Sequence, residues 1–393
     1  MRSKCKKKAQ QATPLQIADD VASRSMTQSK HPVHQTYKRA LFIRFGGMGD
    51  ILLATPSVRA VRAAFPGIEI DFVVGGGMTD ALSGNADIRE ILTFDKRGVD
   101  SRLDHFVPFL ARLARRRYDL VVNLHPSAKS FLMAAASGAK TRLTFEKRME
   151  VRADTGRVAH AVDDFAKELA ALGIGPLGAG DKGLDFFVPE AAHQSVAVRL
   201  AGLGVAGSDR LLVINPAASR PLNRWPLERF AEVAAHWAGQ PGVKVAITGA
   251  PASFKTVMDG LDEVSLAGRV ADADPRILNL AGALSVKEFG ALLTRADTLL
   301  TCDTGPMHIG AALGTPLVVL SGAADPHRTG PLTSNSTVLI DRALSCVPCR
   351  DRVCARGDTL CMSNLTVPAV RTAVGERLGL ETYRGIALPV TCG

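Results

Sequence analysis

One loop of the sequence has residue types that suit the binding of an anion. The residues Cys302-Asp-Thr-Gly-Pro-Met-His308 follow an apolar run and lead into a small-residue segment with helical character. The first N–H groups of a helix are unpaired and lie at its positive end, so phosphate binds well there. Gly305 permits close approach, Thr304 can donate a hydroxyl, and Asp303 and His308 can bind sugar hydroxyls or a diphosphate. Alternatively, the loop forms a capping box without a ligand, and His308 is satisfied inside the helix.

A second loop, Arg44-Phe-Gly-Gly-Met-Gly-Asp50, combines three glycines with a carboxylate. Gly46, Gly47 and Gly49 allow a tight turn and a close approach to the backbone. Asp50 falls near a helix start, where Asp is a preferred N-cap. It could also point into a cleft and accept a proton from an attacking hydroxyl. The glycine spacing does not match G-x-G-x-x-G, so a nicotinamide enzyme is poorly supported.

A third segment, from Asn215 to Pro226, is polar and basic and joins a strand pattern to a helix pattern. Such groups stabilise a diphosphate leaving group, although basic loop residues are more often simply solvated. The candidate donor-binding side chains of this segment are Ser219, Arg220, Asn223 and Arg224.

Apolar runs alternate with helical patterns along the chain, which predicts parallel sheets with helices on both faces. We expect an α/β protein with two Rossmann-like, doubly wound domains facing a central cleft. The predicted strands are Ala40–Phe45, Ile68–Val74, Ile88–Phe94, Asp119–Leu124, Leu211–Asn215, Val243–Thr248, Ile277–Ala281, Ala296–Cys302, Pro316–Ser321 and Thr337–Ile340. The predicted helices include 50–65, 226–237 and 307–313. The predicted divisions are a basic disordered tail (1–38), a first domain (39–188) and a second domain (189–393).

The net charge of +10 is concentrated at the start of the chain. Residues 1–40 hold nine Lys or Arg and two Asp, so the remaining 353 residues carry a net of only +3. The body therefore shows no nucleic-acid groove, and the tail could contact anionic lipid. No apolar run reaches 18 residues, and the start lacks the apolar core of a secretory signal. We expect a cytoplasmic monomer, with peripheral contact at the inner membrane.

Four of the seven cysteines, Cys346, Cys349, Cys354 and Cys361, lie close together in the sequence. They could bind zinc or an iron–sulfur cluster, although the second half of the spacing is irregular. Buried reduced thiols are the favoured interpretation. The Asp272-Ala-Asp274 triplet has the form used by metal-dependent glycosyltransferases, but its position before Pro275 predicts a turn.

Three segments together resemble glycosyltransferase family 9, the lipopolysaccharide heptosyltransferases. They read IRFGGMGDILLATPSVRAVRAAFPGIEIDFVV (43–74), RWPLERFAEVA (224–234) and LAGALSVKEFGALLTRADTLLTCDTGPMHIGAALGTPLVVLSGAADPHRTGP (280–331), and the resemblance spans about 39–370 in the family's order. It implies a GT-B fold and an inverting transfer of heptose from an ADP-heptose donor to a lipid-linked glycan, with no metal or other cofactor. The acceptor would bind the first domain and the nucleotide the second.

The resemblance also implies roles for single residues. The general base falls on Asp50, the donor loop on Asp303, Thr304, Gly305 and His308, and the nucleobase contact on Leu284. Two positions depart from the family pattern. Asn223 stands where a phosphate-binding Lys is common, and the turn at 248–253 lacks the acidic residue that can hold a ribose. These departures affect the expected identity of the donor more than the expected type of reaction.

Two other functions remain as alternatives: a nucleotide-sugar epimerase of similar architecture, and a nucleotide-sugar-binding protein without catalysis. An epimerase needs acid and base groups on both faces of the sugar, and no such pair is evident. The acceptor itself is not indicated, although Lys129, Ser130 and Arg142 are candidates to contact it.

Overall fold

The strands of the protein form two parallel sheets, as the alternating patterns predict. The computed structural model describes residues 36–95, 98–146, 157–250, 257–258, 261–349, 351 and 353–380, so the predicted tail lies almost wholly outside the described residues. The first sheet has the order β3-β2-β1-β4-β5. Its strands are β1 (Arg39–Ile43), β2 (Glu69–Gly75), β3 (Glu90–Phe94), β4 (Leu120–Asn123) and β5 (Thr141–Thr144).

The second sheet repeats this arrangement with one more strand. Its order is β10-β7-β6-β11-β12-β13, and every pairing is parallel. The strands are β6 (Arg210–Asn215), β7 (Val243–Ile247), β10 (Leu278–Asn279), β11 (Thr298–Cys302), β12 (Leu317–Ser321) and β13 (Ser336–Ile340). A separate antiparallel pair is formed by β8 (Val257–Met258) and β9 (Leu261–Asp262).

Helices connect the parallel strands, since a parallel crossover requires a long connection. The first domain's helices are α1 (Met48–Leu52), α2 (Thr55–Ala64), α3 (Leu103–Arg115), α4 (Ala128–Ala136) and α5 (Ala161–Lys167). The others are α6 (Glu190–Gly202), α7 (Leu227–Ala238), α8 (Glu263–Ala271), α9 (Val286–Arg295), α10 (Gly305–Leu313), α11 (Pro326–Thr329), α12 (Leu360–Ser363) and α13 (Val367–Arg377).

The predicted elements are confirmed with small shifts. The short β8–β9 pair was not predicted, and two further differences concern the first domain. The expected helix over 50–65 is two helices, α1 and α2, separated at Leu53 and Ala54. Strand β5 was not predicted, because its four residues, Thr-Arg-Leu-Thr, are only half-buried at the sheet edge and carry no continuous apolar run.

Both candidate loops lie where the strand order of their sheet reverses. In the first sheet β1 has β2 on one side and β4 on the other, and in the second sheet β6 lies between β7 and β11. Connections on the two sides of such a strand run to opposite faces of the sheet, which opens a crevice beyond its carboxyl end. The loop after β1 and the loops after β6 and β11 therefore occupy the positions at which ligands bind in such sheets.

Apolar packing joins the two sheets as well as filling each one. Strand β1 is buried on both faces: Phe42 packs in one core cluster and Leu41 in another. The cluster around Phe42 continues through Ile51 to Met307 and Leu293 of the second sheet's helices. In the described residues, no helix is long and apolar enough to cross a bilayer.

Candidate active site

Asp50 is the third residue of α1, and its side chain does not cap that helix. The N-cap is Gly47, and no side chain makes a capping hydrogen bond there. The capping interpretation is therefore wrong. The Asp50 Oδ1 atom instead accepts a hydrogen bond from Arg44 Nη2 at 2.8 Å, and about half of the carboxylate side chain remains exposed.

Arg44 is held in turn by two other parts of the first domain. Its Nη1 donates to the Leu124 carbonyl oxygen beyond β4, and its guanidinium lies 4.8 Å from the ring centroid of Phe165 in α5. The Arg44 side chain is mostly buried. Because Arg44 is fixed from β4 and α5, the carboxylate that it binds is also fixed in direction.

The glycine before α1 is required by this carboxylate. Gly46 has φ of 149°, a conformation that side chains rarely adopt. A Cβ built there would lie 2.5 Å from Asp50 Oδ2. Glycine is therefore the residue that allows Asp50 to lie against the turn.

Helices α1 and α10 bring the two predicted loops face to face across the domains. A Cβ on Gly49 would lie 2.3 Å from His308 Cδ2, and one on Gly305 would lie 3.5 Å from Met48 Cβ. The approach is possible because Gly49 has no side chain, whereas a Cβ on Gly305 would make only an ordinary van der Waals contact. Asp50 thus lies beside the amino end of α10.

The amino end of α10 is open to a ligand. Its N-cap is Thr304, which makes no side-chain capping hydrogen bond, so the capping-box interpretation is wrong. A cavity of about 230 Å³ reaches this helix start, and Gly47 and Met48 contribute to its wall from the first domain. The predicted donor residues that line it are Ser219, Leu284, Thr304 and Gly305.

His308 is buried beneath this cavity in a neutral form. Burial and, to a smaller extent, the neighbouring His160 lower its pKa to about 4, and Asp50 opposes the shift. Its Nδ1 has no hydrogen-bond partner among the described residues. The interpretation that His308 is satisfied inside the helix is therefore wrong, and Nδ1 can still accept or donate a hydrogen bond.

Asp303 holds its proton unusually tightly for a carboxylic acid. Burial raises its pKa to about 7, and the nearby Asp325 adds to the rise, whereas Arg220 and a hydrogen bond with Thr329 oppose it. The side chain therefore exchanges a proton near neutral pH. In that range it can either donate or accept a hydrogen bond from a hydroxyl.

The polar segment after β6 supports the donor loop more than it lines the cavity. Asn223 is buried, and its Nδ2 donates to the Asp303 carbonyl oxygen at 3.3 Å. Arg224 Nε donates to the Ala218 carbonyl oxygen at 3.0 Å. Arg220 lies near Asp303. Ser219 is the member of this segment's four candidates that lines the cavity.

Among the cavity residues that were not predicted from the sequence, Glu263 and Asn215 have side chains suited to binding a polar ligand. Glu263, the first residue of α8, accepts a hydrogen bond from Ala250 N at 2.8 Å, which places a carboxylate beside the turn that lacks one in sequence. Asn215, at the end of β6, has a buried Oδ1 without a partner among the described residues. Glu263 lies thirteen residues beyond Ala250, so spacing alone gave no signal. The position of Asn215 at a strand end could have indicated it.

The acceptor candidates have different environments. Ser130 is fully buried and forms a capping box with Ser127, so it cannot contact an acceptor as the protein stands. The Lys129 ammonium lies 5.8 Å from the ring centroid of Phe94. Arg142 Nε donates to the Ala139 carbonyl oxygen at 2.7 Å.

The four clustered cysteines are free thiols. Burial raises the pKa of Cys361, and its three neighbouring cysteines add to the rise. Across the described ranges, no three His, Cys, Asp or Glu side chains are placed to hold a metal ion. The Asp272–Asp274 triplet ends α8 in a turn, as predicted, where Asp274 binds Arg276.

Comparisons with known proteins agree with this architecture. The family model "Glycosyltransferase family 9 (heptosyltransferase)" matches residues 108–359. Lipopolysaccharide heptosyltransferase 3 of Escherichia coli (strain K12) is 27% identical over 304 residues, which cover 73% of this chain and 83% of that protein.

Two solved structures share the fold. A family 9 glycosyl transferase from Veillonella parvula DSM 2008 superposes with a TM-score of 0.74 at 23% identity, covering 88% of this chain and 98% of that one. The E. coli ADP-heptose lps heptosyltransferase II gives 0.66 at 19% identity, covering 86% and 98%.

Two Rossmann-like domains that meet at facing loops form the GT-B fold, which the two solved structures share. Because the family model covers more than half of the sequence, the chain belongs to glycosyltransferase family 9, the heptosyltransferases.

Proposed function

We propose that this protein transfers a heptose from ADP-heptose to a lipopolysaccharide-core acceptor, with inversion at the anomeric carbon. The observation that carries the proposal is the position of Asp50, a half-exposed carboxylate beside the open amino end of α10. The relative whose description names ADP-heptose supports the choice of donor. The enzyme would act at the cytoplasmic face of the inner membrane as a monomer, with domains over 39–188 and 189–393.

Asp50 is the general base of this reaction. As the acceptor hydroxyl attacks the anomeric carbon, its proton becomes acidic and passes to the carboxylate, a contribution of about 10²–10⁴ in rate. Arg44 keeps the carboxylate aimed at the cleft. A diphosphate leaves without protonation, so one carboxylate is sufficient for the transfer.

The amino end of α10 stabilises the departing diphosphate. The backbone N–H groups after Thr304 and the positive end of the helix dipole would bind its growing negative charge, with Ser219 and the nearby Arg220 adding donors. Each preorganised donor of this kind contributes roughly 3–4 kcal/mol. These groups replace the role that a metal ion has in other transferases, so we expect no metal or other cofactor, and no loss of activity on chelation.

The remaining cavity residues fit a nucleoside and a sugar. Leu284 and Phe289 offer apolar surface for a base, and Glu263 offers a carboxylate to the two hydroxyls of a ribose. Asp303 and His308 would bind sugar hydroxyls or the diphosphate. Glu263 thus supplies from α8 the acid that the turn at 248–253 lacks.

A donor screen by product mass, followed by Asp50→Ala, tests the proposal. ADP-heptose should give product when other nucleotide sugars do not, and Asp50→Ala should abolish transfer while ADP still binds. Epimerised donor without transfer would indicate the epimerase alternative. Donor binding without turnover by the unsubstituted protein would indicate a non-catalytic binding protein.

A further inference from the structure

A cluster of exposed apolar side chains lies on the first domain, outside the cavity. Of the nine large apolar side chains that are exposed in the described residues, five lie between positions 99 and 132, and each is more than half exposed. They are Val99, Leu103, Val107, Phe131 and Leu132, which we name the α3–α4 apolar surface. Single exposed apolar residues are ordinary, but a group on neighbouring elements marks an interaction site.

The two helices that carry these residues pack side by side on one face of the first sheet. Phe106 and Leu113 of α3 join Met133 and Ala134 of α4 in the same core cluster over β1 and β4. The inner sides of both helices are therefore occupied by the core. Their outward positions, one turn apart at Leu103 and Val107 and adjacent at Phe131 and Leu132, form a common surface.

This surface lies at the edge of the sheet that carries the candidate active site. Helices α3 and α4 begin after the carboxyl ends of β3 and β4. Val99 precedes α3, and the other four apolar residues occupy the first two turns of the helices. A row of aromatic rings connects the two places: Phe45, next to Gly46, lies 5.9 Å from Phe94, which lies 5.4 Å from Phe106 in α3. An object against this surface is therefore near the mouth of the cleft.

The part of the chain that carries this surface, residues 98–142, is more basic than the rest of the described chain. Residues 98–142 contain eight Lys or Arg and three Asp, a net of +5. Two of these cations, Arg112 and Arg116, pair with Glu90 and Asp71 of the sheet, so the net charge including these partners is +3. Apolar side chains beside cationic ones suit an anionic lipid bilayer, which accepts the former among its acyl chains and attracts the latter to its headgroups.

We infer that the α3–α4 apolar surface docks the enzyme on an anionic lipid bilayer, with the cleft mouth facing the membrane. The inference rests on the proposed function in one respect: a lipid-linked acceptor presents its sugars at the bilayer surface, and the docked orientation would bring them to Asp50. The docking itself is a property of this surface and requires no turnover.

Vesicle flotation with the full chain tests the docking directly. Vesicles of phosphatidylethanolamine and phosphatidylglycerol are used at low and high salt, because salt weakens attraction between the basic residues and the headgroups but not apolar insertion. The test variant is the triple substitution Leu103→Ser, Val107→Ser and Phe131→Ser. The control is Val198→Ser with Leu203→Ser, two exposed apolar residues at the end of α6 in the other domain.

The unsubstituted chain and the control should float at both salt concentrations, and the triple variant should partition at least about tenfold less at high salt. Flotation of the triple variant like the unsubstituted chain, equal loss in the control, or no flotation of the unsubstituted chain would each overturn the inference. A change in oligomeric state of the triple variant, measured by light scattering without a change in flotation, would assign the surface to a second copy instead.

A transfer assay separates this inference from the proposed function. The triple variant should keep its rate on a deacylated, water-soluble acceptor and lose it on the same acceptor embedded in vesicles. Equal rates on both acceptors would overturn the docking role. An unsubstituted enzyme that floats but transfers no heptose would leave the docking intact and refute the proposed function.

Discussion

Gly49 and His308 meet so closely between the two domains that no side chain fits between them. A Cβ at Gly49 would lie 2.3 Å from His308 Cδ2 and 2.9 Å from Nε2. The contact fixes how near α1 comes to α10, and the residue after Gly49 is the proposed base, Asp50. The distance between Asp50 and the donor loop therefore depends on the lack of a side chain at Gly49.

Gly49→Ala should lower the rate of transfer by at least about tenfold, because a displacement near 1 Å between reacting groups can cost up to about 10²-fold. Gly202→Ala is the matched control, since a Cβ there meets nothing within 4 Å. Steady-state kinetics and the midpoint of unfolding are measured for both. A Gly49→Ala enzyme with unchanged kcat would show that the close approach has no role in catalysis.

Arg44→Lys should reduce kcat by about tenfold while donor KM changes little. Lysine keeps the charge but cannot contact Asp50 and the Leu124 carbonyl oxygen together, as the planar guanidinium does. Arg39→Lys, which alters an exposed pair with Glu69, is the control. Similar kinetic effects in the two variants would argue against positioning of Asp50 by Arg44.

Asp303→Asn should change how stability depends on pH. The folded-state pKa of about 7 lies above the ordinary value of 3.8, so the folded protein loses stability as pH rises through this range. The asparagine side chain does not ionise in this range, so the variant does not lose stability in this way. The free energy of unfolding of the variant, relative to the unsubstituted protein, should increase between pH 5 and pH 8 by on the order of 2 kcal/mol. Urea titrations of both proteins at pH 5 and pH 8 measure this change. A difference in unfolding free energy that is the same at the two pH values would contradict the prediction.

The two buried histidines at the domain contact should make the protein sensitive to acid. Burial lowers the pKa of both His160 and His308 to about 4, so the stability that they contribute is present above pH 6.5 and is lost as pH falls towards 4. Between pH 7 and pH 5, the free energy of unfolding of the His160→Gln variant should fall by about 1–2 kcal/mol less than that of the unsubstituted protein. His105→Gln, at an exposed site, should follow the unsubstituted protein. Identical acid profiles for all three would rule out this contribution.

Glu263→Gln should raise the donor KM by about tenfold with a smaller effect on kcat. The amide can still accept from Ala250 N, but it loses the charge that strengthens hydrogen bonds from two ribose hydroxyls. Glu232→Gln, on the exposed side of α7, is the control. An unchanged donor KM would show that the Glu263 carboxylate does not bind the ribose.

The sequence determined the class of fold because its signals are local. Apolar runs of strand length alternating with helical periodicity predicted most strands of both sheets to within two residues. The three glycines after β1 and the polar loop after β11 marked the candidate site. The helix expected over 50–65 is divided into two, and strand β5 and the short β8–β9 pair were not predicted. Edge strands and short breaks depend on neighbours that a single segment does not reveal.

Tertiary structure decided how the candidate residues work together. Asp50 and Thr304 look like helix caps in sequence, yet neither side chain caps; Thr304 lines the cavity and Asp50 pairs with Arg44. Asn223 lies in a polar segment but is buried under Asp303, and Glu263 reaches the turn from another element. The contact of Gly49 with His308 joins positions 259 residues apart, and it exists because the two sheets pack their strand ends together. Residue types and their spacing in the sequence indicate which side chains could form a site. Burial and long-range contacts determine where those side chains point and whether they are protonated, because direction and protonation both depend on the surroundings of each side chain.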